Sequence, residues 1–337
     1  MGPLLARYDY RLPKTRIAQS PVTPRDTSRL LVLDRRIGRM RHRHFTDLPS
    51  LLQPDDLLVV NDSRVFPARL IGRRSTGGRI EVFLLRAIRG STWEVLLGGK
   101  VRRTGLVVTF TDTLRATVTR RNNDGTWRVH FTLSGDPFWR AVERFGETPT
   151  PPYIKRRARP DRYQTIYANE RGSVAAPTAG LHFTRRVFRD LRKRGIIVVP
   201  VTLHVGYGTF QPLTDVQLRS AKLHAEYATV SPSALQTIRA AKSAGRRIIA
   251  VGTTTVRVLE TVGLRRRAFR GWITTFIRPP YRFRVVDGMV TNFHLPQSSL
   301  LMLVSAFAGR QHVLTAYRTA VRRRYRFYSF GDAMLIN

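Results

Sequence analysis

No cysteine occurs among the 337 residues. That excludes a disulfide framework, a thiolate metal site and a cysteine nucleophile. Acidic residues are few: 22 Asp and Glu face 59 Lys and Arg, for a net charge of +37. Lysine is rarer still, at positions 14, 100, 155, 193, 222 and 242 only, so 53 of the basic residues are arginine. Apolar runs such as Leu300–Ala308 fall far short of the ~20 residues that span a bilayer. Residues 1–30 carry five arginines and no apolar core of a secretory signal. The expectation is a soluble cytoplasmic chain with no membrane association. No H-E-x-x-H, Walker loop, G-x-S-x-G elbow or full G-x-G-x-x-G fingerprint is present. His42 and His44, two apart among arginines, read as solvated side chains and not as a metal pair.

What is present supports a folded chain. A hydrophobic content of 42% is enough for a globular core despite the charge. Guanidinium is planar, permanently charged and matched to phosphate, so the arginine excess suits an RNA partner. Genomic base composition acting on solvated positions accounts for it equally well.

Residues 30–34 and 56–62 read as buried strands, with a short helical stretch near Leu48–Leu52. From Ala68 the texture changes to six short strands punctuated by Gly77-Gly78, Gly98-Gly99, Gly105 and Asn122–Gly125. That pattern predicts a small antiparallel β-barrel, followed by a helical segment over 136–145. After residue 150 strands alternate with helices. Thr184 and Ser231-Pro232 start two of them, and Gly195 and Gly245 end them. The predicted fold class is α/β: a main α/β domain of residues 1–68 and 151–337, interrupted by a barrel over 69–150.

Five polar clusters sit at predicted strand ends or helix starts. Asn61-Asp62-Ser63-Arg64 follows a strand, where polar groups often face a ligand crevice; an Asx turn is the plainer reading. Val174–Phe183 offers Thr178 and His182 among small residues that allow close backbone approach. Thr202–Phe210 ends a strand in His204-Val-Gly206-Tyr-Gly208-Thr209, although a lone G-x-G is a weak phosphate signal. Gly252-Thr253-Thr254-Thr255 opens a helix whose Arg257 and Glu260 share a face, suited to a carboxylate or to an ordinary ion pair. Thr291–Pro296 places His294 beside Asn292, as an acid/base group or as a structural donor.

Taken in order, these stretches resemble the S-adenosylmethionine:tRNA ribosyltransferase-isomerase family of queuosine biosynthesis. The resemblance starts at Tyr8-Asp-Tyr-Arg-Leu-Pro13 and continues through Pro24–Asp34, Asp56–Arg64 and Pro67–Leu70. It runs on through Pro151–Lys155, Val174–Phe183, Val201–Pro212, Gly252–Glu260, Asn292–Gly309 and Tyr325–Ile336. Ser220-Ala-Lys222 and Pro279-Pro280-Tyr281 depart from the usual family pattern.

The resemblance implies that S-adenosylmethionine acts as a ribosyl donor, a co-substrate, with no metal or other cofactor. The acceptor would be a tRNA bearing 7-aminomethyl-7-deazaguanine at the wobble position, and the chain would act as a monomer. Such chemistry needs a base near the ribose C5′ and an acid for departing adenine. It also needs cation contacts for the sulfonium and ammonium, and an anion site for the donor carboxylate. His204, His182 and His294 are the candidates for proton transfer, with Glu226 a further catalytic candidate. Glu226, Asp332 and Glu260 are candidates for cationic contacts, and Thr253, Thr254 and Arg257 for the carboxylate. Asn61, Asp62, Arg64, Thr178, Gly206, Gly208, Thr209 and His224 complete the expected substrate-binding set; the clusters His182, His204–Gly208, His224/Glu226, Gly252–Glu260 and His294 are expected in one cleft of the α/β domain. The basic segment Lys155–Arg159, with part of the barrel, is expected to meet the tRNA. A non-catalytic RNA-binding protein and an S-adenosylmethionine methyltransferase are the readings that product analysis would separate from this one.

Overall fold

The computed structural model describes residues 3–99, 101, 103–149, 153–154, 160–210 and 213–337. The segment Lys155–Arg159 lies outside the described residues. The chain divides into two compact units: Met1–Arg64, Pro152–Glu170 and Ala176–Asn337 form one, Val65–Pro151 with Arg171–Ala175 the other. The return segment 171–175 therefore goes with the barrel, where the sequence alone assigns it to the α/β part. It does so because Phe66 N–H donates to the Ser173 carbonyl (3.1 Å) and Arg171 pairs with Glu143 (2.9 Å).

The α/β unit contains short helices α1 (Pro3–Ala6) and α2 (Leu48–Leu51) and strands β1 (Arg29–Leu33), β2 (Met40–His44) and β3 (Leu57–Asn61). β4 (Ser63–Val65) leads into the second unit, whose barrel strands are β5 (Arg69–Arg74), β6 (Arg79–Arg89), β7 (Thr92–Gly98), β8 (Val107–Thr109), β9 (Arg115–Arg121) and β10 (Trp127–Phe131). These six close on themselves in the order β10-β7-β6-β5-β8-β9, every pairing antiparallel. Helix α3 (Gly135–Phe145) buries Phe138 and Val142, with Phe138 5.1 Å from the Trp93 ring.

Beyond β11 (Glu170–Ser173) come α4 (Arg185–Lys193), β12 (Ile197–His204), α5 (Asp215–Ser220), β13 (Lys222–Val230), α6 (Pro232–Ser243), β14 (Ile248–Val251) and α7 (Thr253–Val262). The chain ends with β15 (Phe269–Thr275), β16 (Gly288–Asn292), α8 (Ser299–Ala308), α9 (Arg310–Arg322) and β17 (Ala333–Ile336). The α4 start is fixed by the Thr184 hydroxyl, which accepts from Val187 N–H (3.3 Å). The α6 start is fixed by Ser231, which accepts from Ala234 N–H (3.1 Å) with Pro232 at the first turn. Each such cap is worth about 1 kcal/mol.

One nine-stranded sheet organises the unit, in the order β15-β13-β12-β3-β14-β16-β17-β1-β2. β3, β12, β14 and β16 run parallel to their neighbours in that group; β13, β15, β17 and β2 each pair antiparallel with at least one neighbour. The central strand β3 is buried throughout and apolar up to Asn61 at its end, because helices cover both faces. Leu57 and Val59 enter a core with α6, α7 and α8, while Leu58 and Val60 enter the opposite core with α2 and α4. Alternation at period two thus assigns every residue near the strand end to one face or the other.

Candidate active site

The carboxyl ends of β3, β12, β14 and β16 meet at one sheet edge, and the amino ends of β1 and β17 reach the same edge. In open α/β sheets ligands bind there, where backbone groups leave the ladder and side chains must satisfy them. Most of the sequence-predicted residues fall along this edge on both faces of the sheet, not within a single pocket, and Glu260 lies away from it, near the amino end of β16.

On the α7 face, Asn61 locks β3 to β12. Its Oδ1 accepts from Ser63 N–H (3.1 Å) and Leu203 N–H (3.0 Å), and its Nδ2 donates to the Leu203 carbonyl (3.1 Å) with Thr254 Oγ1 at 3.5 Å. Gly252, at φ +89°, turns the chain from β14 into α7. A Cβ there would meet that of Ala179 at 3.5 Å, which brings the 178–182 turn against the same corner. Glu226 comes from β13: its Oε1 accepts from Gly206 N–H (2.9 Å) and its Oε2 from the Arg257 guanidinium, both side chains being buried. Arg257 also donates through Nε to the Thr275 carbonyl (3.0 Å), while its NH2 nitrogen is buried with no partner among the described residues. His224 is exposed and lies over the turn: a Cβ on Gly208 would come within 2.5 Å of its ring, so only glycine fits there. The side chain of Thr209 lies outside the described part.

On the α4 face, Asp62 accepts the Thr202 hydroxyl (2.7 Å). Burial pushes its carboxyl above the usual range, against the pull of that hydrogen bond. His204 closes β12 on this face. Its Nδ1 is buried and finds no partner among the described residues. Burial lowers its pKa, with Glu170 acting in the opposite direction, so neutral imidazole is favoured. A cavity of about 740 Å³ adjoins this corner, lined by Val60, Asp62, Tyr167, Asn169, Arg192 and Val198 among others.

Further along the edge the polar groups saturate one another. Asn292 accepts from Thr178 Oγ1 (3.0 Å) through Oδ1 and donates to His182 Nε2 (3.2 Å) through Nδ2. With Nε2 accepting, His182 Nδ1 carries the hydrogen and donates to Ser28 Oγ (2.8 Å). The ring stacks on Phe45 at 5.0 Å, and burial pushes its pKa down to about 3. His294 lies on the other face with Nε2 at 2.9 Å from Thr291 Oγ1, and burial lowers it to about 3 as well. Its carbonyl accepts from Tyr10 (2.5 Å) and its N–H donates to Tyr317 (3.1 Å). Both histidines thus tie distant segments together through their hydrogen bonds.

Three carboxylates expected to contact cations have other work. Asp332 accepts from the Arg29 and Arg326 backbone N–H groups (3.0 and 2.8 Å) and pairs with the Arg29 side chain, fixing the starts of β1 and β17. Glu260 stands at the far end of α7 and accepts from Arg284, Val285 and Val286 N–H (3.0, 3.0 and 2.9 Å), which anchors that loop. Glu226 is held between Gly206 and Arg257. Thr253 is buried and Thr254 half-buried in the first turn of α7, and Arg64 is exposed on β4. Sequence reasoning does not single out Ser28 or Tyr167. Ser28 is visible only through its pairing with a histidine 154 positions away. Among the described residues no three His, Asp or Glu side chains gather as a metal site, and no helix is long and apolar enough to cross a membrane.

A mixed α/β sheet with polar groups gathered at its strand ends, joined in one chain to a closed six-stranded antiparallel barrel, has the architecture of an α/β enzyme with an added β-domain. The chain belongs to the family described as queuosine biosynthesis protein, whose model matches residues 5–336. It is 52% identical over 339 residues to an S-adenosylmethionine:tRNA ribosyltransferase-isomerase of Moorella thermoacetica, covering 98% of this chain and 99% of that protein. A protein of the same name from Heliobacterium modesticaldum is 51% identical over 342 residues, with the same coverage of both chains. The crystal structure of S-adenosylmethionine tRNA ribosyltransferase from Thermotoga maritima matches with a TM-score of 0.57 and 39% identity, over 98% of this chain and 100% of that one. The chain is an enzyme of that family, a transferase of tRNA modification.

Proposed function

We propose that the enzyme transfers and isomerises the ribosyl portion of S-adenosylmethionine onto the 7-aminomethyl group of 7-deazaguanine at the tRNA wobble position, in the cytoplasm. The products are epoxyqueuosine, adenine and methionine. Full-length membership of the queuosine family supports the reaction class. The single observation behind the residue assignment is His204: a neutral imidazole at a strand end with one buried ring nitrogen left open.

In this reading His204 takes the proton from C5′, next to the sulfonium, and so generates the ylide. Adenine leaves C1′ and takes up a proton at nitrogen, and the tRNA amine forms the new bond to C4′ with loss of a proton as the ring oxygen departs. The C5′ carbanion closes on C1′ to give the carbocycle, and the oxygen left on C1′ displaces methionine from C5′ to form the epoxide. Asp62 is the carboxylate left for a cation, since Glu226, Glu260 and Asp332 are engaged elsewhere. Burial alone favours its neutral form, and an ammonium bound beside it would offset that penalty and hold it as the carboxylate. The open NH2 of Arg257, behind the Thr253-Thr254 turn, is the anion site for the donor carboxylate. Gly206 and Gly208 let the backbone approach the substrate, and Glu226 positions that turn through the Gly206 N–H. The S-adenosylmethionine donor is a co-substrate, and the reading needs no metal or further cofactor.

Incubation with S-adenosylmethionine and tRNA carrying 7-aminomethyl-7-deazaguanine should release adenine and methionine together and add the epoxycyclopentanediol mass to the tRNA. S-adenosylhomocysteine as product would make the protein a methyltransferase. Tight tRNA binding without adenine release would make it a binding protein.

A further inference from the structure

Acidic residues are missing from two stretches that the fold brings side by side. Residues 288–331 carry six arginines and no Asp or Glu, and residues 35–46 carry five arginines and none. The first stretch contains α9 and the second the edge strand β2. The end of α9 is pinned to β1 and β2. The Arg29 side chain donates to the Arg323 carbonyl (2.8 Å) and to that of Arg324, and the Tyr325 hydroxyl lies 2.8 Å from His42 Nδ1. Arg318, Arg322, Arg323 and Arg324 are exposed there, as are Arg41 and Arg43 on β2. The carboxylates that flank the two stretches are engaged: Asp34 accepts from Arg36 N–H (2.9 Å), Asp47 from His44 N–H (3.0 Å), Asp287 from Lys242 (2.8 Å) and Asp332 from Arg29 (3.2 Å).

Arg324 adds a second observation. Its φ of +58° lies in the left-handed region that closes many helices, where glycine is the least strained residue. A long cation at that position points to work done by the side chain. The helix dipole explains a cation or two in a last turn, and charge on an edge strand blocks pairing with other sheets. Neither explains an acid-free surface spanning both elements. The surface lies at the sheet edge that carries the strand-end clusters, because Arg29 opens β1 there and pairs with His44 at the end of β2. From β12 to β1 the sheet order counts five strand spacings, roughly 24 Å. That span is comparable with the width of an RNA duplex. Phosphates are matched by guanidinium and repelled by carboxylate. We infer that the end of α9 and β2 form a docking surface for the sugar–phosphate backbone of the tRNA anticodon stem, with the loop reaching the strand end at β12. This rests on the proposed function in taking tRNA as the substrate.

Binding of an anticodon stem-loop RNA to the full chain is the test, with adenine release from full tRNA followed in parallel. Arg322→Gln, Arg323→Gln and Arg324→Gln combined should raise the stem-loop Kd about tenfold or more at low salt. The slope of log K against log salt should flatten by about 2–3. Donor affinity, melting temperature and kcat at saturating tRNA should stay at wild-type values. As a control, Arg265→Gln, Arg266→Gln and Arg267→Gln remove the same charge from the exposed turn beyond the far end of α7, and should leave Kd and slope near wild type. Arg324→Gly should raise the Kd while melting temperature holds or rises, since glycine suits that φ better. An unchanged Kd in the triple variant would overturn the docking surface. So would equal losses from the two triples, which would make the arginine excess a diffuse attraction, or a loss of affinity that follows melting temperature. Stem-loop binding that depends on the surface, with no adenine release by the wild type, would instead strike the proposed reaction and leave the surface standing.

Discussion

The two halves of one sheet edge carry similar residues in opposite conditions. Around β16, β17 and β1, every named polar group has its partner: Thr178, Asn292, His182 and Ser28 form a closed chain, and Asp332 ties two strand starts. Around β12 and α7, His204 Nδ1 and Arg257 NH2 are buried and open among the described residues. A buried polar atom without a partner costs roughly 1–3 kcal/mol, so each is a place for a ligand or an ordered water to supply the missing bond. Residue type therefore says little by itself. His182 and His204 look alike in sequence, yet both ring nitrogens of one are hydrogen-bonded while Nδ1 of the other finds no partner among the described residues.

The largest contrast should appear in acid. His182 and His294 ionise at about 3 in the fold against an ordinary 6.5. The unfolded chain then binds more protons as pH falls below 6.5, so the stability is present above that value and is lost on the way to pH 3. The loss should reach ~5 kcal/mol for each histidine. Denaturant unfolding at stepped pH should show His182→Gln with a slope shallower than wild type by about 1.4 kcal/mol per pH unit between the two pKa values. An unchanged slope would mean that His182 takes up its proton in the folded state.

Next comes the buried pair on the open side. Glu226→Ala leaves the Arg257 guanidinium uncompensated and should cost about 3–5 kcal/mol in unfolding free energy. It should also loosen the Gly206–Gly208 turn and weaken donor binding. A loss below 1 kcal/mol would show that water reaches Arg257 and that the pair is not closed.

The architecture was legible because its signals are local. Six glycine-punctuated strands gave the barrel, and Thr184 and Ser231 marked helix starts that the structure caps in that way. The strand-end clusters were legible as places. Their division of labour was not, because it depends on partners distant in sequence: Ser28 for His182, Asn61 for Leu203, the 281–286 loop for Glu260. His224 and Glu226, alternate residues on a strand, do share the turn at Gly206–Gly208, yet one is exposed and the other buried beside an irregular register.

A smaller effect probes the saturated side alone. Ser28→Ala strands the Nδ1 hydrogen of His182 and should cost about 1–3 kcal/mol, with turnover per folded molecule unchanged. A selective loss of turnover at full stability would carry the reactive site across to that half of the edge.

The most direct measurement is adenine release by His204→Gln, taken together with donor affinity and melting temperature. On the proposed mechanism the His204 imidazole takes the C5′ proton, so turnover should fall by roughly 10²–10⁴-fold while binding and melting temperature stay near wild type. Near wild-type turnover, or a loss of activity that only follows a loss of stability, would contradict it.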